Sequence, residues 1–138
     1  MSGADFLDTC VLVYAYMFDD PPKQKIAQEL VEKGVAGKCV ISSQVLAEFA
    51  AVLLHKVSRP AASDAVIAIL NRLSPIKLIV PDTDLIRRAV EAHSTYGLHF
   101  YDGLIIAAAE RAGCSRIWSE DFNSGQEYFG VTAANSFV

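Results

Sequence analysis

The sequence predicts an α/β fold: one domain spanning 1–138, with a central, mostly parallel sheet of four or five strands flanked by helices on both faces. Three observations lead there. Short apolar segments of strand length alternate with longer segments whose apolar residues recur every three or four positions, the arrangement that gives right-handed crossovers and a parallel sheet. A chain of 138 residues suits one core. Apolar residues make up 52% of it and are interrupted every few positions by Gly, Pro or charge, so a packed globule is expected rather than a disordered chain.

The elements follow in order. Asp5 to Leu7 opens an apolar run reaching Tyr16, which reads as a short strand ending near Asp8 and then a helical turn. Pro21 and Pro22 suit the first turn of a helix with Ile26, Ala27, Leu30 and Val31 on its apolar face and Gly34 at its end. Lys38 to Ile41 reads as a second strand, and Ser42 or Ser43 caps a helix running to about Val57 with Val45, Phe49, Val52 and Leu53 inward. Pro60 starts a helix burying Val66, Ile69, Leu70 and Leu73. Lys77 to Val80 is a third strand, and the helix from about Asp82 breaks at Tyr96-Gly97. Tyr101 to Ala112 is nearly all apolar, hence a central helix stopped by Gly113. Arg116 to Ser119 is a fourth strand, and the tail from Val131 to Val138 adds an edge strand.

Composition also excludes classes of function. The longest apolar stretches, such as Leu104 to Ala109, fall far short of a bilayer span, and the N-terminus carries no basic signal region, so a cytoplasmic protein is expected. Cys10, Cys39 and Cys114 are odd in number, widely spaced and never in a C-x-x-C pair, so free buried thiols are expected rather than disulfides or zinc. A formal charge of -4 argues against a protein that coats nucleic acid by general phosphate attraction. It leaves room for metal-binding carboxylates, whose charge an ion neutralises.

Four acidic residues stand where carboxylates are expensive or well placed. Asp8 ends the first strand within FLDTCVLV; Glu48 flanks the apolar stripe of SSQVLAEFAAVL; Asp102 opens the central helix in HFYDGLIIAAA; Asp121 follows the fourth strand in IWSEDFNSG, with Glu120 competing for its role. Each has a plainer explanation, as a cap, a solvated helix residue or a turn residue. A parallel sheet would carry all four toward the carboxyl ends of its strands, where unneutralised acids repel one another. A hard divalent cation, Mg²⁺ or Mn²⁺, suits such oxygen donors, and the matching chemistry is hydrolysis of a phosphodiester bond.

At these residues the sequence resembles a PIN domain, and most of all the VapC-type ribonuclease toxins. FLDTCVLVYA, SSQVLAEF, FYDGLIIAAA and IWSEDFNSG are similar to that family's acidic motifs in order and spacing, over nearly the whole chain. The resemblance implies that Asp8, Glu48, Asp102 and Asp121 are the catalytic, metal-binding residues for Mg²⁺ or Mn²⁺, with Thr9 or Ser42 as polar supports. It further implies an endoribonuclease acting on an RNA substrate, a homodimer, and a cognate VapB-type antitoxin that blocks the acidic site. Cys10 departs from the Asn that many members carry there. Lys23, Lys25, Lys56, Arg59, Arg87 and Arg88 are the basic residues available for an RNA path.

Other readings fit less well. A haloacid-dehalogenase-like phosphatase needs a second Asp at position 10, and a receiver domain needs paired acids near its start. A Cys-His hydrolase built on Cys10 with His55, His93 or His99 has no local pattern to support it. A housekeeping RNA-processing or DNA-structure nuclease, or a non-catalytic binding domain of this fold, are the alternatives that keep the same architecture.

Overall fold

A computed structural model describes residues 3–56 and 58–138. Along these residues the order is β1 (Asp5–Leu7), α1 (Thr9–Ala15), α2 (Pro21–Val35), β2 (Cys39–Ser42), α3 (Ser43–Ala51), a π-helical turn (Val52–Lys56), α4 (Ser63–Leu73), β3 (Lys77–Ile79), α5 (Thr83–Tyr96), α6 (Phe100–Arg111), β4 (Arg116–Trp118), β5 (Glu127–Tyr128) and β6 (Val131–Ala134). Among the described residues the strands form one sheet of order β3-β2-β1-β4-β6-β5, parallel except for β5 against β6. The α/β class and the mostly parallel sheet flanked by helices are as the sequence predicts, with six strands instead of four or five.

β1 lies inside the sheet, and its Phe6 and Leu7 are fully buried. From it the chain winds outward to β2 and β3, then returns on the other side of β1 with β4. The reversal opens a crevice beyond the carboxyl ends of β1 and β4, the place where sheets of this kind bind ligands. Register fixes what meets there. Leu7 pairs with Trp118, and the Asp8 amide donates to the Trp118 carbonyl at 3.1 Å, so Asp8 and Ser119 leave their strands side by side.

α6 is the central helix, buried from Gly103 to Ala109. It packs closely on α5 because Gly103 has no Cβ; a Cβ there would stand 2.8 Å from the Ala89 carbonyl oxygen. This contact sets the height at which α6 presents Asp102.

Several boundaries differ from the sequence reading. Gly34 lies inside α2, where it packs beside Ile76 and Cys39, and the turn is made by Gly37 at φ 88°. The cap of α3 is Ser42, whose hydroxyl accepts from the Val45 amide at 3.2 Å. α3 gives way to the π-helical turn after Ala51, and Val57, its expected end, lies outside the described residues. Val52 is half-buried, not a core residue. Pro60 does not start α4. The Ala61 amide is held by the Leu53 carbonyl at 2.9 Å, which keeps this segment against the preceding turn and delays the helix to Ser63. Of the four residues expected in its core face, Val66 and Leu73 are fully buried, while Ile69 and Leu70 are partly so.

The tail is also corrected. β6 is not an edge strand but lies between β4 and β5, and β5 occupies the edge. Phe129 (φ 50°) and Gly130 (φ 83°) form the two-residue turn joining β5 to β6, the geometry that a tight antiparallel hairpin requires. A Phe at positive φ gives no turn signal in sequence. Tyr96 holds it, its hydroxyl accepting from the Phe129 amide at 2.8 Å, and the Arg88 guanidinium sits 3.6 Å over its ring.

Candidate active site

Asp8, Glu48, Asp102 and Asp121 line one cleft of about 300 Å³, together with Thr9, Ala51, Val52, Lys56 and Ile105. Four distant parts of the sequence meet there, two from loops that follow strands and two from helices. Asp8 immediately follows β1, Asp121 follows β4, Glu48 lies on the helix entered from β2, and Asp102 is in the first turn of α6.

Asp8 is the deepest of the four, with 3% of its surface exposed. It caps α1, accepting the Thr9 amide on Oδ1 at 2.7 Å, and accepts the Ser119 hydroxyl on Oδ2 at 2.6 Å. The same carboxylate therefore caps α1 and lines the cleft. Burial dominates its titration and pushes its pKa up to about 6, against the lowering pull of these two donors and with further upward pressure from Asp121 and Glu48. Asp102 and Asp121 are likewise raised, first by burial and then by neighbouring carboxylates. Three carboxyls displaced in the same direction describe a cluster in which burial and mutual repulsion both disfavour the ionised form.

Thr9 supports the site through its side chain, donating to Glu48 Oε1 at 2.8 Å. Ser42, the other support named from the sequence, is fully buried and serves as the α3 cap. Ser119 went unnoticed in the sequence. It donates to Asp8 and accepts the Asp121 amide at 3.0 Å, so one buried hydroxyl sets both acids. The only hint was a Ser at a strand end directly before two acids.

The choice between Glu120 and Asp121 is decided by their partners. Glu120 accepts the Tyr14 hydroxyl at 2.5 Å and pairs with Lys23 at 3.3 Å, whereas Asp121 lines the cleft. Cys39 and Cys114 are buried free thiols as expected, and Cys10 is a half-buried one. The Cys10 sulfur and carboxylate oxygens of Asp8 and Asp121 lie within 4.8 Å of one another. Burial, followed by the Asp8 charge, pushes its thiol up to about 12, so without a bound cation it stays protonated at neutral pH.

The four carboxylates lining the cleft offer hard oxygen donors whose charge and chemistry fit a divalent cation, with Asp8 and Asp121 close enough to share one. A parallel sheet whose carboxyl edge gathers acids from four segments around one cleft defines an α/β protein with an acidic, oxygen-donor centre at its topological switch. The chain belongs to the PIN domain family, whose model matches residues 6–124. No curated protein matches the chain in sequence. Among solved structures it is similar to a toxin-antitoxin complex from Klebsiella pneumoniae (19% identity, TM-score 0.68, covering 94% of this chain and 96% of that one). It is also similar to VapC20 of Mycobacterium tuberculosis, a toxin that cleaves the sarcin-ricin loop (20% identity, TM-score 0.67, 86% and 90%). VapBC2 of Rickettsia felis, bound to a promoter DNA fragment, is a third (18%, TM-score 0.67, 96% and 98%). At these identities the likeness establishes the fold.

Proposed function

We propose that this protein is a metal-dependent endoribonuclease, a single catalytic domain acting in the cytoplasm as the toxin of a type II toxin-antitoxin pair. The observation that carries the chemistry is the convergence of Asp8, Glu48, Asp102 and Asp121 on one cleft, with the carboxyls of Asp8, Asp102 and Asp121 raised first by burial and then by neighbouring acids. In this reading all four are catalytic, and they would hold Mg²⁺ or Mn²⁺, with Asp8 and Asp102 as the principal ligands. Such an ion, when bound, acidifies water and neutralises charge on the phosphodiester oxygens. The chain's own part is to hold the acids in place: Ser119 fixes Asp8 and Asp121, and Thr9 fixes Glu48. The toxin role, the homodimer and a VapB-type antitoxin partner rest on family membership and on the solved neighbours, several of which are toxin-antitoxin complexes.

The test is cleavage of a mixed RNA pool by antitoxin-free protein with Mg²⁺ or Mn²⁺, with and without chelator. Asp8→Asn, Asp102→Asn and Asp121→Asn are expected to abolish metal-dependent cleavage, while Glu120→Gln cuts as the parent does. If the acidic variants cut as well as the parent, or the metal-loaded parent cuts neither RNA nor DNA, the catalytic reading fails and a binding role replaces it. Growth arrest on expression, relieved by a co-expressed neighbouring small protein, separates a toxin from a housekeeping nuclease.

A further inference from the structure

Resting on the nuclease reading, we infer that Lys56 binds a phosphate of the RNA strand beside the scissile bond and positions the substrate over the carboxylates. Among the described residues, Lys56 is the only basic one that lines the acidic cleft. Of the other basic residues available for an RNA path, three are engaged and two lie elsewhere, Lys25 being exposed on α2 and absent from the cleft lining. Lys23 is held by Glu120 and Tyr14 at 3.3 Å, Arg87 by Asp84 at 2.6 Å, and Arg88 by Glu110 and Glu91 at 2.8 and 2.9 Å. Arg59 lines a separate cavity with Tyr16 and Phe18. Lys56 is exposed and forms no ion pair among the described residues, although four carboxylates share its cleft.

The backbone gives the second argument. Lys56 ends the π-helical turn Val52–Lys56, a widened coil that recurs at functional sites. Glu48 and Val52 line the cleft from the same helical course, and Leu53 is buried against the core. The wider turn thus ends with the Lys56 stem on the cleft wall while Leu53 stays packed. A protein of net charge -4 has no diffuse positive field to hold a polyanion, so a lysine beside the centre has a disproportionate part in holding substrate. A phosphate needs a point charge on a flexible stem, which an ammonium supplies.

The decisive experiment measures binding of labelled single-stranded RNA by Asp8→Asn protein, which removes cleavage, with and without Lys56→Ala, across a salt series. Loss of one phosphate contact is expected to weaken binding about tenfold and to reduce the magnitude of the log-log salt slope by about 0.7. In otherwise unaltered protein, Lys56→Ala should raise KM by a similar factor with kcat largely kept, and Lys56→Arg should restore most of the loss. Lys56→Gln, which keeps the stem, is expected to match alanine and guards against a packing effect. Unchanged RNA affinity and salt slope in Lys56→Ala would overturn the inference, as would a change confined to Mn²⁺ affinity, which makes the lysine a counter-charge to the acids. If the parent cuts nothing but the Lys56 effect on RNA binding is present, the nuclease reading fails and the phosphate contact stands.

Discussion

Replacing Asp8 with Asn should make the metal-free protein more stable while destroying its proposed activity. The carboxyl is almost wholly buried, and its pKa is pushed from the usual carboxylate range near 4 up to about 6. That displacement corresponds to about 3 kcal/mol of destabilisation by the ionised form. The sign follows from proton binding. Between about pH 4 and pH 6 the folded protein holds the Asp8 proton more tightly than the unfolded chain does, so this group's contribution falls as pH rises and is fully unfavourable above 6. Asn carries no charge to desolvate, and its partners can be kept. Oδ1 still accepts the Thr9 amide, and the Ser119 hydroxyl can reverse to accept from Nδ2. Unfolding followed by circular dichroism in chelator at pH 5 to 8 should place Asp8→Asn above the parent at pH 7 and 8, by roughly 10 °C in Tm if the full 3 kcal/mol is recovered. The advantage should shrink toward pH 5, and added Mn²⁺ should favour the parent. Equal or lower stability of Asp8→Asn at pH 7 without metal would refute the argument that a desolvated, repelled carboxylate sits at this position.

Three further outcomes are expected. Ser119→Ala removes a charge-stabilising donor from Asp8 and the acceptor of the Asp121 amide, so it should lower stability by about 1–3 kcal/mol and weaken Mn²⁺ affinity, read by denaturant unfolding and calorimetry. Gly103→Ala places a Cβ 2.8 Å from the Ala89 carbonyl oxygen, so α5 and α6 must separate. A loss of about 1–3 kcal/mol is expected, together with weaker metal binding as Asp102 moves with its helix, checked by thermal unfolding and Mn²⁺ titration. The Cys10 thiol, pushed up to about 12, should resist iodoacetamide at pH 8 in the folded protein and react once the chain is unfolded, a difference that mass spectrometry reads directly.

The sequence by itself determined the fold class and the existence of the acidic cluster. Strand-length and helix-length apolar segments alternate strongly enough to force a parallel sheet, and such a sheet sends the residue after each strand to a common edge. Asp8 and Asp121 are legible for that reason, and Asp102 because it opens a helix that is otherwise apolar. Periodicity also found most helices, since an amphipathic stripe is a local pattern. Only tertiary structure decided the rest. The β5–β6 hairpin turns on Phe129 at positive φ, tolerated because Tyr96 and Arg88 from another helix hold it, a contact no local pattern encodes. Ser119 gained its role, and Asp121 was separated from Glu120, through partners about a hundred residues away in sequence: Asp8 for the former, Tyr14 and Lys23 for the latter. Lys56 became distinct from the other candidate cations only when the π-helical turn set it on the cleft wall, while Lys23, Arg87 and Arg88 found carboxylate partners elsewhere. A sequence states which charges a chain carries, but the pairing of those charges, and so which of them remain free to meet a ligand, is fixed by distances that exist only after folding.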